Sequence, residues 1–138
     1  MTSKQRFDSL KKYIEADDVD VEIDTTYYEQ AKTPPEKRIM NGTAGSDSYI
    51  ILYKDSKDSN YDMLSSLLIH EYGHVINWRD YKKDKHTEKD AWETGILNIP
   101  QEFHPPTLRE DCVLCLSSYN ITRAYAWVDE ILKTINII

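Results

Sequence analysis

The segment His70-Glu71-Tyr72-Gly73-His74 puts two imidazoles and a carboxylate within five consecutive residues. On a helix, at about 100° per residue, His70 and His74 lie about 40° apart on one face, so both rings can reach a single metal ion. Glu71 lies about 100° round from His70, near enough to touch a water at that ion without being a ligand. This is the arrangement a zinc hydrolase needs. Two neutral imidazoles and a third protein ligand leave one tetrahedral position open for water. The metal lowers that water's pKa towards about 7, and the adjacent carboxylate can take its proton. The bland alternative is a helix whose two histidines are only half-buried and hydrogen-bonded. Two metal-seeking side chains on the inner part of an apolar helix are costly without a purpose, which favours a metal.

The elements that would hold these residues can be read around them. Ser59 or Asn60 can cap a helix, with Asp62 in its first turn. Met63, Leu64, Leu67, Leu68, Val75 and Trp78 recur at roughly helical spacing, which predicts a helix running to about Asp80. The strand expected before it is Ser48–Tyr53, β-branched and aromatic; Asp55–Asn60 is a polar loop between the two. Upstream, Ser3 to about Ala16 reads as a helix capped by Ser3, with Phe7, Leu10, Tyr13 and Ile14 on one face. Val19–Asp24 alternates apolar and acidic residues as a half-buried strand does. Tyr27–Lys32 is a short helix or turn, Pro34-Pro35 breaks regular structure, and Ile39-Met40 could open a short strand. Asn41–Ser46, with Gly42 and Gly45, reads as turn chemistry.

Downstream, Tyr81–Lys85 reads as a solvated linker with no assigned chemistry. Thr87 caps a helix with Glu88 and Asp90 in its first turn, and Gly95 could end or kink it. Gln101–Pro106 is a loop; Thr107 can then cap a helix, with Glu110 in the capping-box position. The last helix is expected from about Arg123 to Ile135, with Tyr125, Val128, Ile131, Leu132 and Ile135 on its buried face.

Two histidines require a third ligand, and four residues could supply it. Glu88 stands fourteen residues after His74, in the first turn of the next helix, with Ala91 one turn on to allow close helix packing. Asp80, six residues after His74, sits where a compact motif would put its last ligand, although Asn77 replaces the turn glycine. His86 would complete three imidazoles, and Glu93 lies about 140° round from the Glu88 face. Glu88 is the favoured choice.

His70-Glu71-Tyr72-Gly73-His74 followed by Glu88-Lys89-Asp90-Ala91-Trp92 resembles the gluzincin pattern, H-E-x-x-H then E-x-x-A. In particular it resembles the minimal zinc metallopeptidases carried by phages and mobile elements, over about Tyr49 to Gly95. The resemblance implies an α+β, zincin-like fold: a short, mostly antiparallel sheet on the motif helix, with further helices. It implies Zn²⁺ held by His70, His74 and Glu88, Glu71 as general base, and Tyr49–Tyr53 as the strand lining the cleft. An exposed edge of that strand could hold an extended protein or peptide substrate. A donor for the oxyanion is then needed, for which His104 and Tyr119 are candidates. Asp90 or Asp80 could instead orient a ligand imidazole.

The whole chain bounds these readings. Its 138 residues suit one domain, 1–138, and a 40 % apolar, 30 % charged composition fits a globular protein on the polar side. A net charge of -7 and no basic stripe argue against nucleic acid as a direct partner. No apolar run approaches the roughly 18 residues of a membrane span, and the charged N-terminus shows no secretory core. A cytoplasmic location is therefore expected. Cys112 and Cys115 form a lone C-x-x-C pair that fits a buried stripe with Val113, Leu116 and Tyr119 better than a redox or zinc site. Two rival functions remain. One is a metal-bound interaction module that blocks a partner without hydrolysis. The other is a DNA-associated zinc protease with His86 as third ligand, which the acidic charge disfavours.

Overall fold

The computed structural model describes residues 1–120 and 122–134. At its centre lies α3 (Tyr61–Arg79), thirteen of whose residues are buried, from Leu64 to Asn77. A helix covered on nearly every side needs neighbours on nearly every side. They are α1 (Ser3–Glu15), α4 (Glu88–Asn98), α5 (Leu108–Asn120) and a three-stranded sheet. A four-residue α2 (Tyr27–Gln30) and 3-10 turns at Pro35–Lys37 and Gln101–Phe103 connect the layers, and α6 (Ala124–Thr134) packs on α5. Buried apolar side chains of α1, β3, α3, α4, α5 and α6 form one cluster with Trp92, Phe7 and Leu68 among its fully buried members. The architecture is α+β, as expected. Among the described residues no helix is long and apolar enough to cross a membrane.

The sheet consists of β1 (Asp20–Asp24), β2 (Asn41–Gly45) and β3 (Tyr49–Tyr53) in the order β1-β3-β2. It differs from expectation in two respects. It is mixed: β1 runs parallel to β3, and only β2 pairs antiparallel with it. And β3 is central, with both edges already paired, so Tyr49–Tyr53 has no free edge to offer a peptide. The free edges belong to β1 and to β2, the latter formed by the stretch read as a turn. Neither Gly42 nor Gly45 uses a positive φ. Instead Ser48, at φ 65°, takes the left-handed position that closes a three-residue hairpin loop, and Ser48 N–H donates to Gly45 O at 3.2 Å. The strongly β-forming Tyr49–Tyr53 recruits a weak partner, and pairing overrides local propensity.

Several local devices fix the ends of α3. Asn60 caps it, its side chain accepting Met63 N–H at 3.1 Å. Lys54 is buried, and its ammonium donates to the carbonyls of Asp55 and Asp58, which holds the loop feeding the helix. At the other end Arg79 donates to Asp17 O and Tyr72 donates to Asp17 Oδ2 at 2.6 Å, tying α1 to α3. The cap of α1 is Thr2, one residue earlier than expected, in a capping box with Gln5. On α5, Asp111 is buried and accepts from Ser66 Oγ of α3 at 2.6 Å and from Thr107 Oγ1 at 2.7 Å.

The C-terminal helices also depart from expectation. Tyr119 is 64 % exposed and is not part of the α5 stripe, whereas Cys112 is fully buried, and both thiols are free. Burial pushes the Cys112 thiol up and the Cys115 thiol up to about 11, so neither is a nucleophile near neutral pH. In α6, Ala124, Val128, Ile131 and Leu132 face the core, while Tyr125 points outward beneath the Arg109 guanidinium. Ile121 and Ile135 lie outside the described residues.

Candidate metal centre

The site is built where α3 and α4 touch backbone to backbone. A Cβ on Gly73 would stand 1.8 Å from Ala91 O, and one on Gly95 would stand 2.1 Å from Ile69 O. No side chain fits at either position, so the glycines set the helix separation. Gly95 therefore does not end or kink α4; it lies in the helix interior and seats it. Ala91, one turn before Gly95, completes the small face. Between the same helices Thr94 Oγ1 donates to buried Asn77 Oδ1 at 2.9 Å.

This close approach brings the first residue of α4 to the motif. Glu88 Oε2 is 2.8 Å from His74 Nε2, and Glu88 Oε1 is 3.4 Å from His70 Nε2. Ligand atoms of His70, Glu71 and His74 lie within 4.8 Å of one another. Glu71 Oε1, however, is 3.9 Å from His70 Nε2, farther than the Glu88 carboxylate. The Glu88 carboxylate thus lies nearer His70 than Glu71 does, and it is the one that also contacts His74. Donor atoms about 2.1 Å from a tetrahedral zinc are about 3.4 Å apart. The observed 2.8 and 3.4 Å are close to that spacing, and two imidazole nitrogens with a carboxylate are zinc's usual donors. The residues fit the ion.

The electrostatics agree with this geometry. Burial pushes the His70 imidazole below its ordinary value, with Glu88 opposing, and a neutral ring is the form that ligates. Hydrogen bonds from His70 and His74 hold the Glu88 carboxyl far below the usual carboxylate range. Burial raises the Glu71 carboxyl to about 7, with His74 opposing and the Glu88 charge adding to the rise. Both motif imidazoles rest on tryptophans: His70 stacks on Trp92 at 4.5 Å and 26°, and His74 on Trp78 at 5.4 Å and 22°.

The other sequence candidates go to different places. His86 contacts His74 from behind, Nε2 to Nδ1 at 2.7 Å, on the side of the ring away from Glu88. Asp80 caps the end of α3 and pairs with Arg79. Asp90 is occupied by the capping box, its Oδ2 accepting Thr87 N–H at 3.1 Å, so it orients no imidazole. Glu93 is not among the described residues that gather at the cluster. His104 bonds Ile99 O at 2.9 Å and lines a cavity of about 390 Å³ with Leu108, Arg109 and Leu132, sharing no residue with the cluster. Tyr119 does reach the site: its hydroxyl donates to Glu88 Oε1 at 3.0 Å.

Two site features were not anticipated. Gly42 of β2 is the first. A Cβ there would be 3.0 Å from Glu71 Cγ, so the edge strand passes directly over the carboxylate. The second is a smaller cavity of about 240 Å³ beside Glu88, lined by Thr87, Lys89, Leu116, Tyr119 and Trp127.

Comparison with known proteins bears on this arrangement. A family model described as predicted Zn-dependent protease (DUF2268) matches residues 1–90, which is more than half of the chain. The chain belongs to the DUF2268 family. No curated protein and no solved structure matches it. The DUF2268 match includes His70, Glu71, His74, His86 and Glu88 and ends inside the first turn of α4.

Proposed function

We propose that this DUF2268 protein is a zinc-dependent peptidase of gluzincin type, with His70, His74 and Glu88 as ligands and Glu71 as general base. The observation that carries the proposal is the convergence of Glu88 on both motif imidazoles, 2.8 and 3.4 Å from their Nε2 atoms. A zinc ion held there would supply Lewis acidity, lowering the pKa of a water towards about 7 and polarising a scissile carbonyl.

The remaining steps belong to the chain. Glu71 is buried, with a carboxyl at about 7, so near neutral pH it can accept a proton and give it back. In this reading it takes the proton of the attacking water and delivers it to the leaving amine. The free edge of β2, passing over Glu71 at Gly42, suits an extended peptide added as a fourth strand. The Tyr119 hydroxyl holds Glu88 and lies at the rim of the 240 Å³ cavity, which has room for one apolar substrate side chain.

The test begins with metal content by mass spectrometry, on protein purified without added metal and on Glu88→Ala. About one zinc per chain in the parent and little in the variant is expected. Parent and Glu71→Gln are then assayed against a mixed peptide library, with a rate loss of about 10²–10⁴-fold in the variant. A parent that binds no zinc when zinc is offered would refute the proposal. Zinc binding with a biological effect that survives Glu71→Gln would replace it with the interaction-module reading.

A further inference from the structure

His86 is one residue before the cap of α4 and two before Glu88, directly after the Tyr81–Lys85 stretch whose composition suggests an inert linker. The stretch is in fact shaped. Lys82 adopts a left-handed φ of 56°, and Lys83 N–H donates to Asn77 O at 2.7 Å, which turns the chain back against the end of α3. That turn presents Lys83 O to His86 Nδ1 at 3.0 Å. On its other side, His86 Nε2 is 2.7 Å from His74 Nδ1. Trp78 packs against both rings, 5.4 Å from His74 and 5.1 Å from His86.

With His86 neutral, the donor and acceptor roles follow from the partners of its two nitrogens. A carbonyl oxygen only accepts, so His86 Nδ1 carries the hydrogen. Nε2 of a neutral His86 then carries the lone pair and accepts, so His74 Nδ1 must donate. The remaining nitrogen of His74, Nε2, faces Glu88. Its 2.8 Å contact with Glu88 Oε2 shares a proton that a metal ion would displace. His70 has no such device: its Nδ1 is buried and without a partner among the described residues.

We propose that His86 is a positioning residue for the metal centre. It locks His74 in the Nδ1–H tautomer and ring orientation that aim the Nε2 lone pair at the metal, and Lys83 O locks His86 in turn. A metal-ligating histidine ordinarily gives its second N–H to a carboxylate, carbonyl or water. Here a second imidazole takes that place, and one short segment carries both this support and the ligand Glu88. The inference rests on the zinc reading above. It also excludes His86 as a ligand beside His74, because its lone pair is used on the far side of that ring.

The experiment is zinc affinity by competition with a chelating dye, on the parent, His86→Leu and His86→Gln. Circular dichroism checks that each variant is folded. His86→Leu should bind zinc about 10–100-fold more weakly, the effect typical of losing such a partner. His86→Gln, whose amide oxygen can still accept from His74, should recover most of the affinity. A merely space-filling role would not separate the two variants in that order. If the leucine variant does not fold, ¹⁵N spectra of the zinc-loaded parent decide. His74 metallated at Nε2 with a slowly exchanging Nδ1–H supports the inference, and metallation at Nδ1 overturns it. Parent-like zinc affinity in folded His86→Leu overturns this inference alone, whereas a parent that binds no zinc overturns the zinc reading and this inference together.

Discussion

Glu71→Gln should make the metal-free protein more stable while removing the proposed base. In the folded chain burial holds the Glu71 carboxyl at about 7, against an ordinary value of 4.5. A carboxyl raised by folding favours its neutral form in the native state. Below pH 4.5 it is protonated whether folded or not, and it costs nothing. Between 4.5 and 7 the unfolded chain ionises first, and the native state loses about 1.4 kcal/mol per pH unit. Above 7 the cost levels off at about 3 kcal/mol, an order-of-magnitude figure for a side chain only 7 % exposed. Glutamine has nearly the same shape and no charge, so it escapes the cost at every pH. The assay is urea denaturation of both proteins in chelator at pH 5.5 and pH 8. The variant should gain about 1 kcal/mol at the lower pH and about 3 kcal/mol at the higher, roughly 10 °C in Tm for a chain of this size. Zinc should narrow the gap, since a nearby cation favours the carboxylate. A variant no more stable than the parent at pH 8 would refute the reasoning. A gain of equal size at both pH values would locate it in packing, not charge.

Two further substitutions separate the frame from the chemistry. Gly73→Ala places a methyl 1.8 Å from Ala91 O, so α4 must move away; we expect a loss of about 3 kcal/mol or more in urea unfolding, with reduced zinc content in whatever protein folds. Asp111→Ala leaves the Ser66 and Thr107 hydroxyls without their acceptor and should cost about 2–3 kcal/mol in the same assay. Zinc affinity should stay within a few-fold of the parent in that variant, because Asp111 touches no ligand.

The motif helix was legible because its signals are local. Asn60 as cap and the apolar run from Leu64 to Ile76 bracket His70 and His74, and helical spacing alone puts both rings on one face. Glu88 was legible as a candidate ligand from its first-turn position fourteen residues after His74, with Ala91 one turn on. Features set by tertiary contact were not. Gly42 and Gly45 have the composition of a turn, and only the neighbouring β3 makes them a strand. Gly95 has the composition of a helix stop, yet with Ala91 it forms a small-residue face at i and i+4 opposite Gly73. That spacing was the available signal, and it requires knowing that α3 and α4 are partners. His86 was legible as a metal-seeking residue, but its ring contacts are fixed by the Lys82 turn, which no spacing rule predicts. Tyr119 and Tyr125 show the same limit, since both keep helical register with core residues yet point outward.

The end of the family match divides the molecule in an instructive way. Residues 1–90 contain every side chain we propose for the metal and for proton transfer. Beyond residue 90 lie groups that hold those side chains in place. Ala91 and Gly95 let α4 approach, Asp111 clamps α5 to Ser66, and Tyr119 bonds Glu88. Glu88 lies at the junction: its chemistry faces one part and its position depends on the other. A shift of α4 by about 1 Å would carry the carboxylate off the imidazoles, a misplacement of the size that can cost about 10²-fold in rate. The proposed chemistry therefore depends on contacts that carry no functional groups, foremost two glycines and an alanine.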